Sequence, residues 1–199
     1  MPQISRRARS LVSVIGLGAM ATAANAGFFP TALSVNTTGF ADSTFLGAPD
    51  DTFVGIGGQV VVYDFGAQAV INRAGLVDFN VYEVDWGSPE FNLMTVWASD
   101  DGVTFHDVSA SAVAVVRITG DETHGSNSFA RSYDLGALAQ ARYIMIDGNG
   151  TGGAGSTNAF DLDAIGAHEV TPVPEPATTA LMLAGLGVLG LLARQRTRG

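Results

Sequence analysis

Short runs of apolar or alternating residues recur along the middle of the chain, with turn signals between them. Residues 79–84 alternate apolar and polar side chains, which is the period-2 pattern of a strand with one buried face. Residues 94–97 lead into an Asp-Asp-Gly turn, and residues 103–105 return from it. Further runs lie at 60–63, 113–118, 129–135, 143–146 and 160–165. Because several short strands follow one another in this way, the pattern predicts an all-β domain, a β-sandwich or jelly roll.

The stretches between these runs indicate where the domain ends and what stabilises its core. No helical period lasts for three turns outside the two ends of the chain. Glycine and serine concentrate in residues 147–157, which we expect to form a flexible loop, and residues 171–176 are the only stalk. The chain has no cysteine, which excludes disulfides and thiolate chemistry. A domain over residues 27–170 is long enough to fold around a core of its own.

The N-terminus has the three parts of a secretory signal peptide. Three arginines within the first nine residues precede an apolar stretch over residues 11–24. Ala24 and Ala26 form a small-x-small cleavage site, so we expect Gly27 to be the first residue of the mature chain. The sequence therefore predicts export by the general secretion route, with residues 1–26 removed.

The C-terminal residues 171–199 also consist of three parts in a fixed order. The first is a four-residue motif, Val173, Pro174, Glu175 and Pro176. The second is an uncharged apolar run over residues 177–193, which would form about 25 Å of helix and predicts a single transmembrane helix. The third is a basic end that would stay on the cytoplasmic side, with Arg194, Arg196 and Arg198.

This three-part order resembles the PEP-CTERM sorting signal of Gram-negative bacteria. The resemblance implies that exosortase, a membrane protease, recognises the Pro-Glu-Pro segment, which its prolines keep extended, and cuts near it. It also implies a precursor anchored in the inner membrane, delivery to the cell surface or the medium, and an association with exopolysaccharide production. The alternative is an ordinary C-terminal membrane anchor with a proline-rich stem.

Charge is divided sharply between the ends of the chain and its middle. The ten arginine and lysine positions are all arginine, and only four of the ten lie within residues 27–172, against eighteen of the nineteen acidic residues. The exported domain therefore carries a net charge of −14, compared with −9 for the whole chain. Such a domain should not bind nucleic acid, should remain soluble, and offers carboxylates to divalent cations.

The order of motifs between residues 46 and 169 is informative as a set. Leu-Gly-Ala-Pro-Asp at 46–50 comes first, Asp-Phe-Asn-Val-Tyr-Glu at 78–83 follows, and Phe-Asp-Leu-Asp-Ala-Ile at 160–165 closes the series. This order is similar to that of secreted bacterial cell-surface domains with a galactose-binding-like (discoidin-like) jelly roll. The resemblance implies glycan binding through loops at one end, and a structural calcium ion where the first loop meets the last strand.

Five acidic residues are candidate ligands for such an ion: Asp50, Asp51, Asp161, Asp163 and Glu169. Asp161 and Asp163 are two positions apart on a predicted strand and should project from one face. Calcium takes six to eight oxygen ligands, which carboxylates and loop carbonyls supply. The alternatives are ordinary turn chemistry for the first pair, and solvent exposure or pairing with Arg142 for the strand aspartates.

Trp86 is the candidate ligand-binding aromatic, because it lies in a loop by composition and exposed aromatic rings stack on sugar faces. A loop plug packed on the end of the sandwich is an equal alternative for Trp86. Trp97, by contrast, lies in a predicted strand and should be a core residue. Loop asparagines that could bond sugar hydroxyls are Asn127, Asn149 and Asn158.

Catalytic motifs are absent from the sequence. His106, His124 and His168 lack the spacing of a metal motif, and Ser126 lacks the G-x-S-x-G pattern. We therefore expect a protein that is not an enzyme, and whose leading function is to bind extracellular polysaccharide. The alternatives are a structural protein of the matrix or envelope without a specific ligand and, more distantly, a secreted hydrolase that uses paired carboxylates.

Overall fold

The computed structural model describes residues 27–85, 89–113, 115–118, 128–150, 153–156 and 158–173. These residues form strands and three short 3-10 helices, Asp42–Thr44, Phe91–Leu93 and Ser109–Ser111, and they contain no α-helix. The strands are β1 Ala32–Asn36, β2 Val54–Gly57, β3 Val60–Asp64, β4 Gln68–Ile71, β5 Phe79–Val84, β6 Met94–Ser99, β7 His106–Asp107, β8 Val116–Arg117, β9 Ser128–Tyr133, β10 Gln140–Ala141, β11 Tyr143–Gly148, β12 Gly153–Ala154, β13 Asp161–Ala167 and β14 Val170–Pro172.

The strands form two large sheets and one small one. The five-stranded sheet has the order β1-β3-β11-β6-β7, and the six-stranded sheet has the order β12-β2-β13-β5-β9-β8. A three-stranded sheet, β10-β4-β14, completes the described part of the fold. Every strand pair among the described residues is antiparallel. The predicted all-β, sandwich-like fold is confirmed.

One hydrophobic core lies between the large sheets, because both contribute apolar side chains from alternate positions. Phe79 of β5 stacks on Tyr133 of β9, with ring centroids 5.5 Å apart. Phe91 and Phe160 pack at 5.1 Å near the other end of these strands. The five largest fully buried side chains are Tyr63, Tyr133, Phe45, Phe79 and Phe160. With no disulfide available, this core supplies the main stabilisation of the domain.

The strand registers define two ends of the sandwich. At one end, Val84 of β5 pairs with Ser128 of β9, and β13 begins beside β2. The chain passes from there through Phe91–Leu93 into the start of β6, so the first residues of β6 belong to the same end. We call this the cleft end. At the opposite end, Phe79 pairs with Tyr133 and Ser99 pairs with Tyr143.

The structure corrects three details of the sequence prediction. β14 pairs with β4, so the first residues of the predicted stalk belong to the sandwich, which extends to Pro172. The predicted flexible loop over 147–157 starts with the end of β11 and contains β12, which pairs with β2. Trp97 lies in β6 as predicted but is only half-buried, and its Nε1 donates a hydrogen bond to Thr95.

The predicted signal peptide 1–26 and transmembrane helix 177–193 lie outside the described residues. Within the residues that the structure describes, no helix has the length and apolar character needed to cross a membrane. Gly27, the predicted first mature residue, is described, and its N–H donates to the carbonyl oxygen of Ala167 at 3.0 Å.

Candidate functional site

A cleft of about 360 Å³ opens at the cleft end of the sandwich. Two aromatic rings and three carboxylates line it, together with backbone from β2 and from the loop after β12. We call it the carboxylate cleft. Its lining residues are Phe40, Phe53, Val54, Gly55, Asp85, Glu90, Gly155, Ser156 and Asp161. None of these residues is basic.

Close backbone packing shapes one wall of the carboxylate cleft. Gly55 of β2 pairs with Asp161, and its carbonyl oxygen accepts a hydrogen bond from the N–H of Gly155 at 2.7 Å. A Cβ atom on Gly55 would collide with the carbonyl oxygen of Ser156 and lie 3.1 Å from Asp161 Oδ1. Glycine is therefore required at position 55 for the strand, the loop and the Asp161 carboxylate to meet.

The aromatic side of the cleft is built by a hydrogen-bonded turn after β1. The Asn36 side chain accepts from the Thr38 N–H at 3.0 Å and donates to the carbonyl oxygen of Phe40 at 3.0 Å. The N–H of Phe40 in turn donates to Thr38 Oγ1 at 3.2 Å. These bonds fix the backbone of Phe40, whose ring lies beside Gly155 while 46% of the residue remains exposed. An exposed ring in this position presents a flat apolar surface to a ligand.

The three carboxylates of the cleft lie in a strongly negative environment. Burial, and secondarily the charges of Glu90 and Asp85, raise the pKa of Asp161 to about 6. Burial and the charge of Asp85 also raise the pKa of Glu90. Asp161 and Glu90 are therefore harder to ionise than in water, because they are partly buried and their neighbours have the same charge. No basic side chain among the described residues lines the cleft.

Glu83 lies behind the cleft and is completely buried at 0% exposure. Its Oε1 accepts the backbone N–H of Glu90 at 2.8 Å, so the carboxyl group points towards a residue that lines the cleft. Its Oε2 has no hydrogen-bond partner among the described residues. Burial is the main cause that raises the pKa of Glu83 to about 8, with the charges of Asp85, Glu90 and Asp161 adding to it.

A second acidic group forms where the 50–51 loop meets β13. Both oxygens of the buried Asp163 carboxylate accept loop N–H groups, from Asp50 at 3.4 Å and from Asp51 at 3.1 Å. Asp51 has φ of 66°, a left-handed conformation, and its carboxylate accepts a hydrogen bond from Ser128. Burial, and secondarily the charges of Asp50 and Asp51, raise the pKa of Asp163 to about 7. We call this group the Asp163 corner.

The five predicted calcium ligands fall in three different places. Asp50, Asp51 and Asp163 meet at the Asp163 corner, whereas Asp161 lines the carboxylate cleft. Glu169 follows β13 at its opposite end and is exposed, about 20 Å along the chain from Asp163. The prediction of one five-residue set is therefore wrong with respect to Glu169. Arg142, the alternative partner of the strand aspartates, instead forms a bidentate ion pair with Asp64, at 2.8 and 3.1 Å.

The Asp163 corner fits calcium only in part. Carboxylate oxygens suit this ion, but the two N–H donors from the loop already occupy both oxygens of Asp163. The described residues contain no group of three acidic or histidine side chains close enough to hold a metal ion. Asp163 is best explained as the residue that fixes the loop. Asp50 and Asp51 are the other two carboxylates of the corner, and they accept hydrogen bonds from the Thr52 N–H and from Ser128.

Several predicted site residues lie outside the described residues: Ala24, Ala26, Trp86, Pro174, Glu175, Pro176, Arg194, Arg196 and Arg198. Val173 is described, and its N–H donates to the carbonyl oxygen of Ala67 at 2.9 Å. The chain neighbours of the segment that contains Trp86 are informative, because Asp85 and Glu90 both line the carboxylate cleft. Asn149 and Asn158 are exposed, and neither lines the cleft.

Sequence reasoning missed most of the carboxylate cleft. Phe40, Phe53 and Glu90 lie in irregular segments with no motif, and Glu83 has the appearance of an ordinary polar position in an alternating strand. The one available signal was the density of acidic residues between 83 and 90 without any basic residue near them in the chain. That signal gives the charge of the region but not the elements that meet there.

Comparison with known proteins identifies the C-terminal segment. The family model of the PEP-CTERM protein-sorting motif matches residues 172–196, which include Val173, Pro174, Glu175 and Pro176. The predicted sorting motif is thus confirmed. No curated protein matches the chain.

Three solved structures that resemble the chain share 12 to 15% sequence identity with it. One is the CBM32 of AlyQ in complex with 4,5-unsaturated mannuronic acid, at 15% identity, a TM-score of 0.40, and coverage of 70% of this chain and 95% of that one. Another is the C-terminal domain of a chitobiase from Bacteroides fragilis, at 13% identity and a TM-score of 0.39, with coverage of 75% of this chain and 98% of that one. A third is CpGH89CBM32-6 produced by Clostridium perfringens, at 12% identity and a TM-score of 0.39, with coverage of 69% of this chain and 90% of that one.

Proposed function

We propose that this protein, whose residues 172–196 are a PEP-CTERM protein-sorting motif, is an exported cell-surface protein that binds exopolysaccharide through the carboxylate cleft. The precursor would be held in the inner membrane by its C-terminal segment until exosortase processes it. The mature domain would then act at the cell surface or in the extracellular matrix.

The observation that carries this proposal is the combination of groups in the carboxylate cleft. Sugars present two kinds of surface, a ring of hydroxyl donors and flat patches of C–H groups. Phe40 and Phe53 supply apolar faces for the C–H patches, and Asp85, Glu90 and Asp161 supply acceptors for the hydroxyl groups. The volume of about 360 Å³ lies at the lower end of the range for small-molecule sites, which suits one short segment of a glycan chain.

Binding of the full chain, in a neutral detergent, to exopolysaccharide purified from the producing organism tests the proposal. We expect saturable binding that weakens about tenfold in Phe40→Ala, which is equivalent to about 1.4 kcal/mol. Trp86→Ala should weaken it as well, because the segment of Trp86 connects two cleft residues. Val103→Ala is the matched control, since Val103 is 84% exposed in the turn after β6 and lies at the opposite end of the sandwich.

Binding that is unchanged in both aromatic variants would show that the cleft is not the glycan site. Absence of any binding by the folded chain would instead favour the structural alternative, a matrix or envelope protein without a specific glycan ligand. That alternative predicts either self-association or no association, and neither should depend on added glycan.

We propose calcium separately, at the Asp163 corner alone. Asp50 and Asp51 would bind the ion together with carbonyl oxygens of their loop, while Asp163 would position that loop. Adding calcium to a chelator-treated sample should then raise the melting temperature, because saturation to 100 times the Kd adds about 2.7 kcal/mol of stability. The rise should be lost in Asp50→Asn/Asp51→Asn, and no rise in the natural chain would reject the ion.

A further inference from the structure

The charge of the carboxylate cleft restricts the class of glycan that it can bind. Three carboxylates from three different segments line it, namely Asp85 after β5, Glu90 before Phe91–Leu93, and Asp161 at the start of β13. Burial raises the pKa of both Glu90 and Asp161, and repulsion by the neighbouring carboxylates, including Asp85, adds to it. An anionic glycan would add to this repulsion, so the cleft disfavours uronic acids and sulfated sugars.

Glu83 supplies an independent indication that the cleft receives positive charge. It is completely buried, it points towards Glu90, and its Oε2 has no hydrogen-bond partner among the described residues. A buried carboxyl group that serves only the fold is normally bonded at both oxygens, because an unsatisfied buried polar group destabilises the folded state. Glu83 thus has one carboxyl oxygen that the fold does not use, and a cationic ligand in the nearby cleft would favour the ionised form of this carboxyl group.

The arrangement of the carboxylates distinguishes a metal ion from a larger cation. A metal ion needs several oxygens that converge on one point, and the side chains of Asp85, Glu90 and Asp161 do not form such a group. The cleft instead distributes its carboxylates around a space that also contains the exposed ring of Phe40. A ligand that matches this arrangement has an ammonium group, several hydroxyl donors and an apolar face in one molecule.

We propose that the carboxylate cleft binds amino sugar units with a free, protonated amine, as in a deacetylated or partly deacetylated polysaccharide. The ammonium group would lie among Asp85, Glu90 and Asp161, and the sugar ring would lie against Phe40. This inference rests on the proposed function and adds the chemical class of the ligand to it.

Calorimetry of the full chain with three tetrasaccharides of one linkage tests the inference: glucosamine, N-acetylglucosamine and glucose tetramers, at pH 6, where the amine is protonated. We expect the glucosamine tetramer to bind at least tenfold more tightly than the other two. Glu90→Gln and Asp161→Asn should each weaken binding of the glucosamine tetramer about tenfold and weaken binding of the acetylated tetramer less, because an amide oxygen still accepts from a hydroxyl group but does not attract an ammonium group. Both variants should fold, because each replaces a carboxyl group whose ionisation is already opposed.

The matched control is Asp100→Asn. Asp100 is exposed, follows β6 at the opposite end of the sandwich, and its replacement changes the net charge by the same single unit. This control should bind the glucosamine tetramer like the natural chain. An equal loss in Asp100→Asn and Glu90→Gln would mean that the acidic domain attracts cations as a whole, which would overturn the inference.

Two further outcomes separate this inference from the proposed function. Equal binding of the glucosamine and N-acetylglucosamine tetramers, or binding of the exopolysaccharide without binding of any tetramer, would reject the amino sugar and leave the glycan-binding cleft in place. Failure of all tetramers and of the exopolysaccharide to bind would reject both proposals.

Discussion

At the scale of single residues, Glu83 shows how one carboxyl group can link the cleft to the stability of the domain. It lies at a core-facing position of β5, two residues beyond the buried Val81, and it pairs with Leu162 of β13. An apolar residue of similar size would be the ordinary choice at such a position. Because the folded chain holds the pKa of Glu83 near 8, against 4.5 for the free side chain, folding favours its protonated form.

The stability of the fold should therefore fall as the pH rises from 4.5 to about 8. The contribution of Glu83 is fully present below pH 4.5 and is lost as the pH approaches 8, because the folded state binds the proton more tightly than the unfolded state does. The total loss is on the order of 5 kcal/mol, from about 1.36 kcal/mol per pKa unit. The melting temperature should be higher at pH 5 than at pH 8. In Glu83→Gln, the melting temperature should depend less steeply on pH.

A weaker slope should remain in Glu83→Gln, because Asp161 and Asp163 also have raised pKa values, of about 6 and 7. Asp100→Asn again serves as the control and should keep the full slope. The interpretation fails if the melting temperature rises from pH 5 to pH 8, or if Glu83→Gln leaves the slope unchanged.

At the scale of the elements, six of the strands could be predicted from the sequence, but β1, β2 and β4 could not. β3, β5, β6, β9, β11 and β13 coincide with apolar or alternating runs, because each has a face against the core. β2 reads Val-Gly-Ile-Gly and β4 reads Gln-Ala-Val-Ile, and neither four-residue run has enough alternation to distinguish a strand from a turn. These strands exist because neighbouring strands pair with them, which a local pattern does not contain.

The candidate site was predicted in part for a related reason. Asp161 and Asp163 were expected to share one face of the sheet, because residues two positions apart on a regular strand project from the same face. β13 has a register irregularity between Leu162 and Ile165, where the alternation is interrupted. Asp161 therefore lines the cleft beside Gly55, whereas Asp163 fixes the 50–51 loop. The 50–51 loop meets the last long strand, as the resemblance to galactose-binding-like domains implied.

At the scale of the whole molecule, the boundary between the sandwich and the sorting motif is sharp. β14 ends at Pro172, and the N–H of Val173 bonds to Ala67 in the turn before β4. The Pro-Glu-Pro residues, 174–176, follow directly in the sequence. A cut at or after these residues would leave every described strand in the product. Processing therefore need not disturb the carboxylate cleft.

Sorting can therefore be tested without damage to the fold. Replacement of Pro174, Glu175 and Pro176 by alanine should cause a full-length, membrane-bound precursor to accumulate, because exosortase would lose the segment that it reads. Immunoblots of membrane and medium fractions from the producing organism measure this, with Asp100→Asn as a variant that should be processed normally. The replaced chain, once solubilised, should still bind exopolysaccharide. Normal processing of the replaced chain would show that the Pro-Glu-Pro residues are not what the protease recognises.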